Sequence, residues 1–103
     1  MTFVETLVFT KNLAKYLHDE EYWQLQLYLM NQPSAGDIIQ GAGGLRKLRW
    51  LAKGKGKREG VRIIYYWKMH TQKIYLMSIY AKNEVADLSA KAKKILKQML
   101  EDL

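Results

Sequence analysis

Apolar positions recur along the chain with two spacings, which predict helices in some segments and strands in others. The first third predicts a strand and two helices, over residues 3–9, 11–17 and 19–31. In the second helix Tyr22, Leu25 and Leu29 recur at three- and four-residue spacing. Asp19 is the expected N-cap, and Pro33 prevents the helix from continuing.

The remainder of the chain predicts a loop, three strands and a final helix. Residues 33–44 hold the only Pro and four of the seven Gly, so we expect a loop that packs through Ile38 and Ile39. Strands are predicted over 45–51, 61–68 and 73–81, with a turn at 70–72 joining the last two. The final helix is predicted from Ser89 to Leu103, with an apolar stripe of Ala92, Ile95, Leu96, Met99, Leu100 and Leu103.

This order of elements predicts an α+β fold in a single domain spanning residues 1–103. Short connections make the last three strands antiparallel. We therefore expect a small antiparallel sheet, two N-terminal helices packed on one face, and a C-terminal helix. The other face, which carries basic residues, is expected to be partly open.

Positive charge is concentrated in one segment of the chain. Residues 46–62 contain eight Lys and Arg and one Glu, a balance of 8 − 1 = +7, which equals the net charge of the whole chain. The other nine basic residues are matched by nine acidic ones. A local cationic surface indicates a polyanionic partner, and nucleic acid is the commonest one.

The composition excludes several other classes of protein. There is no cysteine, so disulfides and thiolate metal sites are excluded, and two separated histidines do not predict a metal site. We expect neither a metal nor an organic cofactor. No secretory signal or membrane-spanning run is present, so a cytoplasmic protein without a membrane partner is expected.

Two groups of cations are candidates for phosphate contact. Lys47 and Arg49 lie two residues apart on a predicted strand and point to one face, which is either solvated or a phosphate site. The segment around 53–57 alternates basic residues with Gly, which predicts a flexible turn that approaches an RNA backbone or merely aids solubility. Its candidate contacts are Lys53, Lys55, Lys57 and Arg58.

Three further residues follow from the strand pattern. Arg62, at the start of the second long strand, suits either phosphate contact or an ion pair with Glu59. Tyr80 suits either core packing or stacking on an unpaired base. Lys82, just after the last strand, is placed to reach a concave site. Such cations can cleave RNA, because the 2′-hydroxyl is an internal nucleophile and the protein stabilises the charged transition state.

Three segments together resemble the RelE/HigB superfamily of bacterial type II toxins, and the HigB-like branch most. They read GGLRKLR, AKGKGKREGVRIIYY and IYLMSIYAKNEVADLS, and the similarity extends over nearly the whole chain. The resemblance also includes an ordered entry to the first long strand, formed by Asp37, Ile39, Gly41, Gly43, Gly44, Leu45 and Arg46.

The resemblance implies a metal-independent endoribonuclease that cleaves mRNA in the decoding site of the ribosome and so inhibits translation. It implies a cognate antitoxin, often with a helix-turn-helix domain, through which alone the toxin reaches operator DNA. The catalytic positions of the family correspond to Lys47, Arg49, Arg62 and Lys82.

The acid–base roles stay open in this resemblance. The better-known branch of the family has an arginine and a tyrosine where this chain has Asn83 and Ser89. Lys82, Glu84 or a lysine of the basic turn is expected to substitute.

Two other functions are compatible with the same residues. A non-catalytic protein could block translation by binding RNA or the ribosome, since the same cations would serve. A DNA-binding regulator acting alone is the third hypothesis, but no helix-turn-helix pattern with a basic second helix is found.

Overall fold

The computed structural model describes residues 1–52, 57–82 and 88–103. Within them, five strands and three helices form an α+β fold, as predicted. None of the helices in these ranges is long and apolar enough to cross a membrane. The elements in chain order are β1 (Thr2–Glu5), α1 (Leu7–Tyr16), α2 (Asp19–Asn31), β2 (Asp37–Ile38), β3 (Arg46–Ala52), β4 (Lys57–Lys68), β5 (Lys73–Ala81) and α3 (Ala90–Leu100).

The first strand is shorter than predicted, and the first helix starts earlier. The apolar run 3–9 predicts one strand, but β1 ends at Glu5 and α1 begins at Leu7. Thr6 ends the strand because its hydroxyl accepts a hydrogen bond from the Phe9 N–H (3.1 Å) and caps the helix. The same hydroxyl donates to the Met77 carbonyl (2.8 Å), which attaches this junction to β5.

Helix α2 covers the predicted residues with a different cap. The N-cap is His18 rather than Asp19, and the His18 N–H donates to the Glu21 side chain at 3.0 Å. Asp19 instead lies in the first turn, where a negative charge interacts favourably with the helix dipole. Leu25 and Leu29 are fully buried, so the predicted apolar side faces the core.

The strands form one mixed sheet in the order β1-β5-β4-β3-β2. The pairs β3–β4 and β4–β5 are antiparallel, as predicted, whereas β1 joins the edge of β5 in parallel. A short 3₁₀ turn at Met69–Thr71 connects β4 to β5, close to the predicted turn. Strand β4 begins at Lys57, four residues before the predicted start.

A separate hydrophobic core packs on each face of the sheet. Helices α1 and α2 cover one face, where Phe9, Leu25 and Leu29 pack with Ile63 and Leu76. Helix α3 lies on the opposite face, and its apolar residues pack against a second core that contains Leu45, Ile64, Met77 and Tyr80. The face predicted to be partly open is thus covered in part by α3.

The glycine-rich segment contains one short strand that the pattern did not predict. Asp37 and Ile38 form β2, which pairs with β3. Of the two residues expected to pack, Ile39 is buried, but Ile38 is 57% exposed. The reason is the alternation of a strand, which directs adjacent side chains to opposite sides.

Two side chains attach the start of this segment to the sheet. The Tyr65 hydroxyl donates to the Pro33 carbonyl and accepts from the Gly36 N–H, both at 2.8 Å. The Arg46 guanidinium donates to the carbonyls of Ser34 (3.1 Å) and Gly36 (2.8 Å). Desolvation by burial raises the pKa of Tyr65, so its hydroxyl keeps the proton that it donates.

Helix α3 begins as predicted and ends three residues early. The Ser89 hydroxyl accepts from the Ala92 N–H (3.0 Å) and caps the helix. Leu96, Met99 and Leu100 pack on the second core, whereas Ile95 and Leu103 are exposed. The predicted stripe is therefore wider than the face that the sheet covers.

Candidate nucleic-acid interface

The strand register brings cations of β3 and β4 side by side. Arg49 lies directly opposite Arg62, and Arg62 lies directly opposite Tyr80 of β5. Opposite side chains of an antiparallel pair have Cβ atoms about 4.5–5.5 Å apart. Arg49, Arg62 and Tyr80 therefore form a row across three strands. Because neighbouring strands are about 4.8 Å apart, the row is about 10 Å long.

Lys47 extends this row on the same face, and Lys82 lies at the end of strand β5. Lys47 precedes Arg49 by two residues on β3, so the two side chains share a face. Lys82 follows the end of β5 directly and is exposed. Leu45 and Ile64, which are buried in the α3-side core, confirm by their alternation which face this is. We call Lys47, Arg49, Arg62 and Lys82 the cation cluster.

The two arginines bring two positive charges together on adjacent strands. Like charges directly opposite each other on adjacent strands destabilise a sheet. Arg49 is exposed and Arg62 is half-buried. A phosphate group bound between them would remove the repulsion, and guanidinium groups suit phosphate because they donate two parallel hydrogen bonds.

A glycine lets β4 pass close to β3 beside the cluster. Gly60 has φ +76°, and a Cβ atom there would lie 2.3 Å from the Trp50 carbonyl oxygen. The pairing of β3 with β4 shifts register between Trp50 and Ala52, at the same level. Gly60 therefore permits the irregular pairing that immediately precedes Arg62.

Helix α3 adds cations that the sequence analysis did not assign to the site. It carries four lysines and packs on the same face of the sheet as the cation cluster. Lys91 and Lys94 are exposed, and Lys93 lines a cleft together with Lys47. The four lysines are Lys91, Lys93, Lys94 and Lys97. Their number was visible in the sequence, but the side of the sheet on which α3 packs was not.

Acidic residues gather on the other side of the sheet. Asp19, Glu20 and Glu21 lie in the first turn of α2. Glu5 is hydrogen-bonded to Tyr22 of α2 and Thr10 of α1. These acidic side chains therefore lie on the face opposite the cation cluster, although α1 on that face also carries Lys11 and Lys15.

The other predicted contact residues have mixed outcomes. Tyr80 is only 7% exposed and belongs to the α3-side core, which favours packing over stacking on a base. Lys53 and Lys55 lie outside the described residues, as do Asn83 and Glu84.

Three more cations of the basic segment are not assigned to the cation cluster. Lys57 is not in a turn, because it starts β4; the side chains of Lys57 and Arg58 lie outside what the structure describes. Arg46 is excluded from the cluster because its guanidinium is hydrogen-bonded to the 33–36 segment.

No family model matches this chain. Its fold is similar to three solved structures of an Escherichia coli toxin. The isolated E. coli RelE toxin has a TM-score of 0.58 and 14% identity, with 95% of this chain and 97% of that chain covered. The chain has the RelE fold.

Two further structures agree with this assignment of fold. A free, doubly substituted variant of E. coli RelE has a TM-score of 0.58 and 14% identity, covering 82% of this chain and 86% of that chain. The intact E. coli RelBE toxin–antitoxin complex has a TM-score of 0.57 and 13% identity, covering 76% of this chain and 92% of that chain. The RelE fold extends over nearly all of the chain and thus includes the sheet that carries the cation cluster.

Proposed function

We propose that this protein is the toxin of a type II toxin–antitoxin system, of the HigB-like branch, and that it cleaves mRNA on the ribosome. The observation that carries the proposal is the register that places Arg49 beside Arg62 on a sheet with the RelE fold. Lys47 and Lys82 complete a surface matched in charge to one bent ribose–phosphate strand.

The proposed reaction uses the RNA as its own nucleophile. The 2′-oxygen attacks the adjacent phosphorus while a base takes its proton, and a pentacoordinate phosphorane forms. The bond from phosphorus to the 5′-oxygen then breaks, an acid protonates that oxygen, and a 2′,3′-cyclic phosphate and a 5′-hydroxyl result. The guanidinium groups of Arg49 and Arg62 stabilise the extra negative charge of the phosphorane.

Neither histidine lies at the cation cluster. His18 caps α2 on the other face, and His70 lies in the turn at the far end of β4. We therefore propose Lys82, Glu84 or a lysine of the 53–57 segment for the acid and base roles. A site without histidine depends on exact placement of its substrate, which supports a message held in the decoding site rather than free RNA.

The proposed partners follow from the same fold. E. coli RelE has a solved complex with its antitoxin. We propose a cognate antitoxin for this protein as well, with a helix-turn-helix domain that brings the complex to operator DNA. The toxin itself acts in the cytoplasm, on mRNA bound to ribosomes.

The deciding experiment maps the 5′ ends of transcripts after the protein is induced in a bacterium. New ends within translated codons are expected for the wild-type protein. Arg62→Ala should lower the cleavage rate about 10²–10³-fold, the usual loss when one stabilising donor is removed from a transition state. Lys68→Ala is the matched control, because Lys68 lies on the same face of the same strand, at its opposite end.

Full cleavage by Arg62→Ala, or equal losses in both variants, would contradict the assigned site. The alternative function is a non-catalytic inhibitor that occupies the decoding site. It is favoured by the same cations, which bind RNA whether or not they cleave it. Growth arrest with intact messages would establish that alternative.

A further inference from the structure

A cleft opens next to the cation cluster, between β2, β3 and the start of α3. Its volume is about 260 Å³, and its lining includes Asp37, Ile38, Gln40, Lys47, Leu88 and Lys93. Lys47 belongs both to this cleft and to the cation cluster. An RNA strand bound along the cluster would therefore pass the mouth of the cleft.

The lining combines apolar walls with hydrogen-bonding groups. Ile38 is 57% exposed and Leu88 is half-buried, so both present apolar surface. Asp37 and Gln40 are exposed at the same cleft and supply a carboxylate and an amide. Pockets for drug-sized ligands are about 300–1,000 Å³, so this smaller cleft suits a single planar ring system.

Asp37 lies where the cleft meets the cation cluster. Asp37 lies directly opposite Lys47 in the β2–β3 pair, and Lys47 is two residues from Arg49. Asp37 is thus on the strand next to Lys47, and the backbones of neighbouring strands are about 4.8 Å apart. A carboxylate at this place repels phosphate but accepts hydrogen bonds from a base.

We propose that this cleft binds one unpaired nucleobase of the RNA strand held by the cation cluster, and that Asp37 selects bases with an exocyclic amino group. The proposal rests on the RNA-binding part of the proposed function. An ionised carboxylate only accepts hydrogen bonds. Adenine, cytosine and guanine each donate from an amino group, as in known contacts between Asp or Glu and the cytosine amine.

Uracil is the base that this cleft should reject. Its pairing edge has one N–H between two carbonyl oxygens, and those oxygens would face the Asp37 carboxylate. Gln40 can reverse its amide to suit either type of edge. The discrimination is therefore assigned to Asp37.

The test is equilibrium binding of fluorescently labelled hexanucleotides of C, A or U to the full chain at low salt. We expect the C and A hexamers to bind about fivefold more tightly than the U hexamer, the lower end of discrimination by base-edge contacts. Asp37→Asn should tighten binding of all three hexamers, since one negative charge is lost. It should also reduce the ratio of the C hexamer's affinity to the U hexamer's affinity, the C-to-U ratio, toward one.

Asp19→Asn is the matched control, because it makes the same chemical change at the start of α2, on the other face of the sheet. It should leave the C-to-U ratio unchanged. Equal affinity for the three hexamers, an unaltered ratio in Asp37→Asn, or no detectable binding would overturn the proposal.

Transcript mapping separates this proposal from the proposed function. If messages stay intact but the C hexamer binds fivefold more tightly than the U hexamer, the base-binding cleft is supported and the nuclease activity is contradicted. If messages are cleaved but the C and U hexamers bind equally tightly, the nuclease activity is supported and the base-binding cleft is contradicted.

Discussion

Arg46 and Arg49 lie on the same strand, but their side chains have different roles because a strand directs odd and even residues to opposite faces. Arg46 is hydrogen-bonded to the carbonyls of Ser34 and Gly36 and stabilises the loop. Arg49 lies opposite Arg62, in an arrangement that suits an anion. At the scale of the residue, the register that places Arg49 beside Arg62 is the feature on which the proposed function depends.

Gly60 is the residue for which the local geometry makes the clearest prediction. Gly60→Ala should lower the free energy of unfolding by at least about 2 kcal/mol, because positive φ and overpacking each cost about 1–2 kcal/mol or more. Urea unfolding followed by circular dichroism measures this change. Gly41→Ala is the control, since Gly41 has φ +74° with no atom within 4 Å of the added Cβ.

The comparison separates backbone strain from steric clash. Gly41→Ala should carry only the strain of a left-handed conformation, about 1–2 kcal/mol. If both variants lose the same stability, the approach of Gly60 to the Trp50 carbonyl is not what requires glycine there.

Elements β1, α1 and α2 meet at one carboxylate. The Tyr22 hydroxyl of α2 donates to one oxygen of Glu5, and the Thr10 hydroxyl of α1 donates to the other, both at 2.6 Å. Burial, followed by the hydrogen bond and the negative charge of Glu5, raises the pKa of Tyr22 well above its usual value. This contact joins the first three elements of the chain, which are consecutive in sequence.

The raised pKa predicts a loss of stability in alkali. Tyr22 releases its proton more readily in the unfolded chain than in the folded one. Its contribution is therefore complete below the ordinary tyrosine pKa of about 10 and falls as pH rises above that value. Urea midpoints measured from pH 8 to pH 11 should fall less steeply in Tyr22→Phe than in the wild-type protein.

Glu5→Gln is the second variant for this experiment. It removes the charge that opposes the tyrosinate and should also reduce the slope, while Thr10 and Tyr22 remain in place. Identical slopes in all three proteins would show that this contact does not couple folding to tyrosine ionisation.

At the scale of the whole molecule, the placement of α3 decides how far the basic surface extends. The helix packs on the face of the cation cluster, so its exposed lysines add to the field of the sheet. The acidic first turn of α2 lies on the other face. The described residues therefore place the cation cluster and the exposed lysines of α3 on one side of the sheet, which is the side we propose to face the ribosome.

Removal of Lys91 and Lys94 together should weaken ribosome binding and reduce its dependence on salt. For each phosphate that the variant no longer neutralises, the slope of log affinity against log salt should become shallower by about 0.7–0.9. The double change Lys11→Ala and Lys15→Ala on α1 is the control, because α1 covers the opposite face.

If the slope of log affinity against log salt is the same for the α3 variant and the wild-type protein, α3 does not contact the bound phosphates. The same measurement applies to Lys53, Lys55 and Lys57, whose contacts with phosphate stay a prediction.

Several features follow from neighbouring residues and were predicted correctly. The β4–β5 hairpin, the Ser89 cap and the two faces of β3 depend on period-two alternation and on bonds within a few residues. The proximity of Lys47, Arg49 and Arg62 follows from that alternation together with the antiparallel pairing. A local rule was sufficient because each of these features is decided by neighbours in the chain.

Other features required contacts between distant parts of the chain. Thr6 ends β1 while it is held by Met77, 71 residues away, and β1 pairs with β5 rather than with a sequence neighbour. The burial of Tyr80 and the side on which α3 packs depend on which apolar surfaces meet. Periodicity shows that a surface is apolar, but packing of the whole chain selects the element that covers it. For the same reason the cleft at Asp37, which forms between β2, β3 and the start of α3, could not be predicted from the sequence.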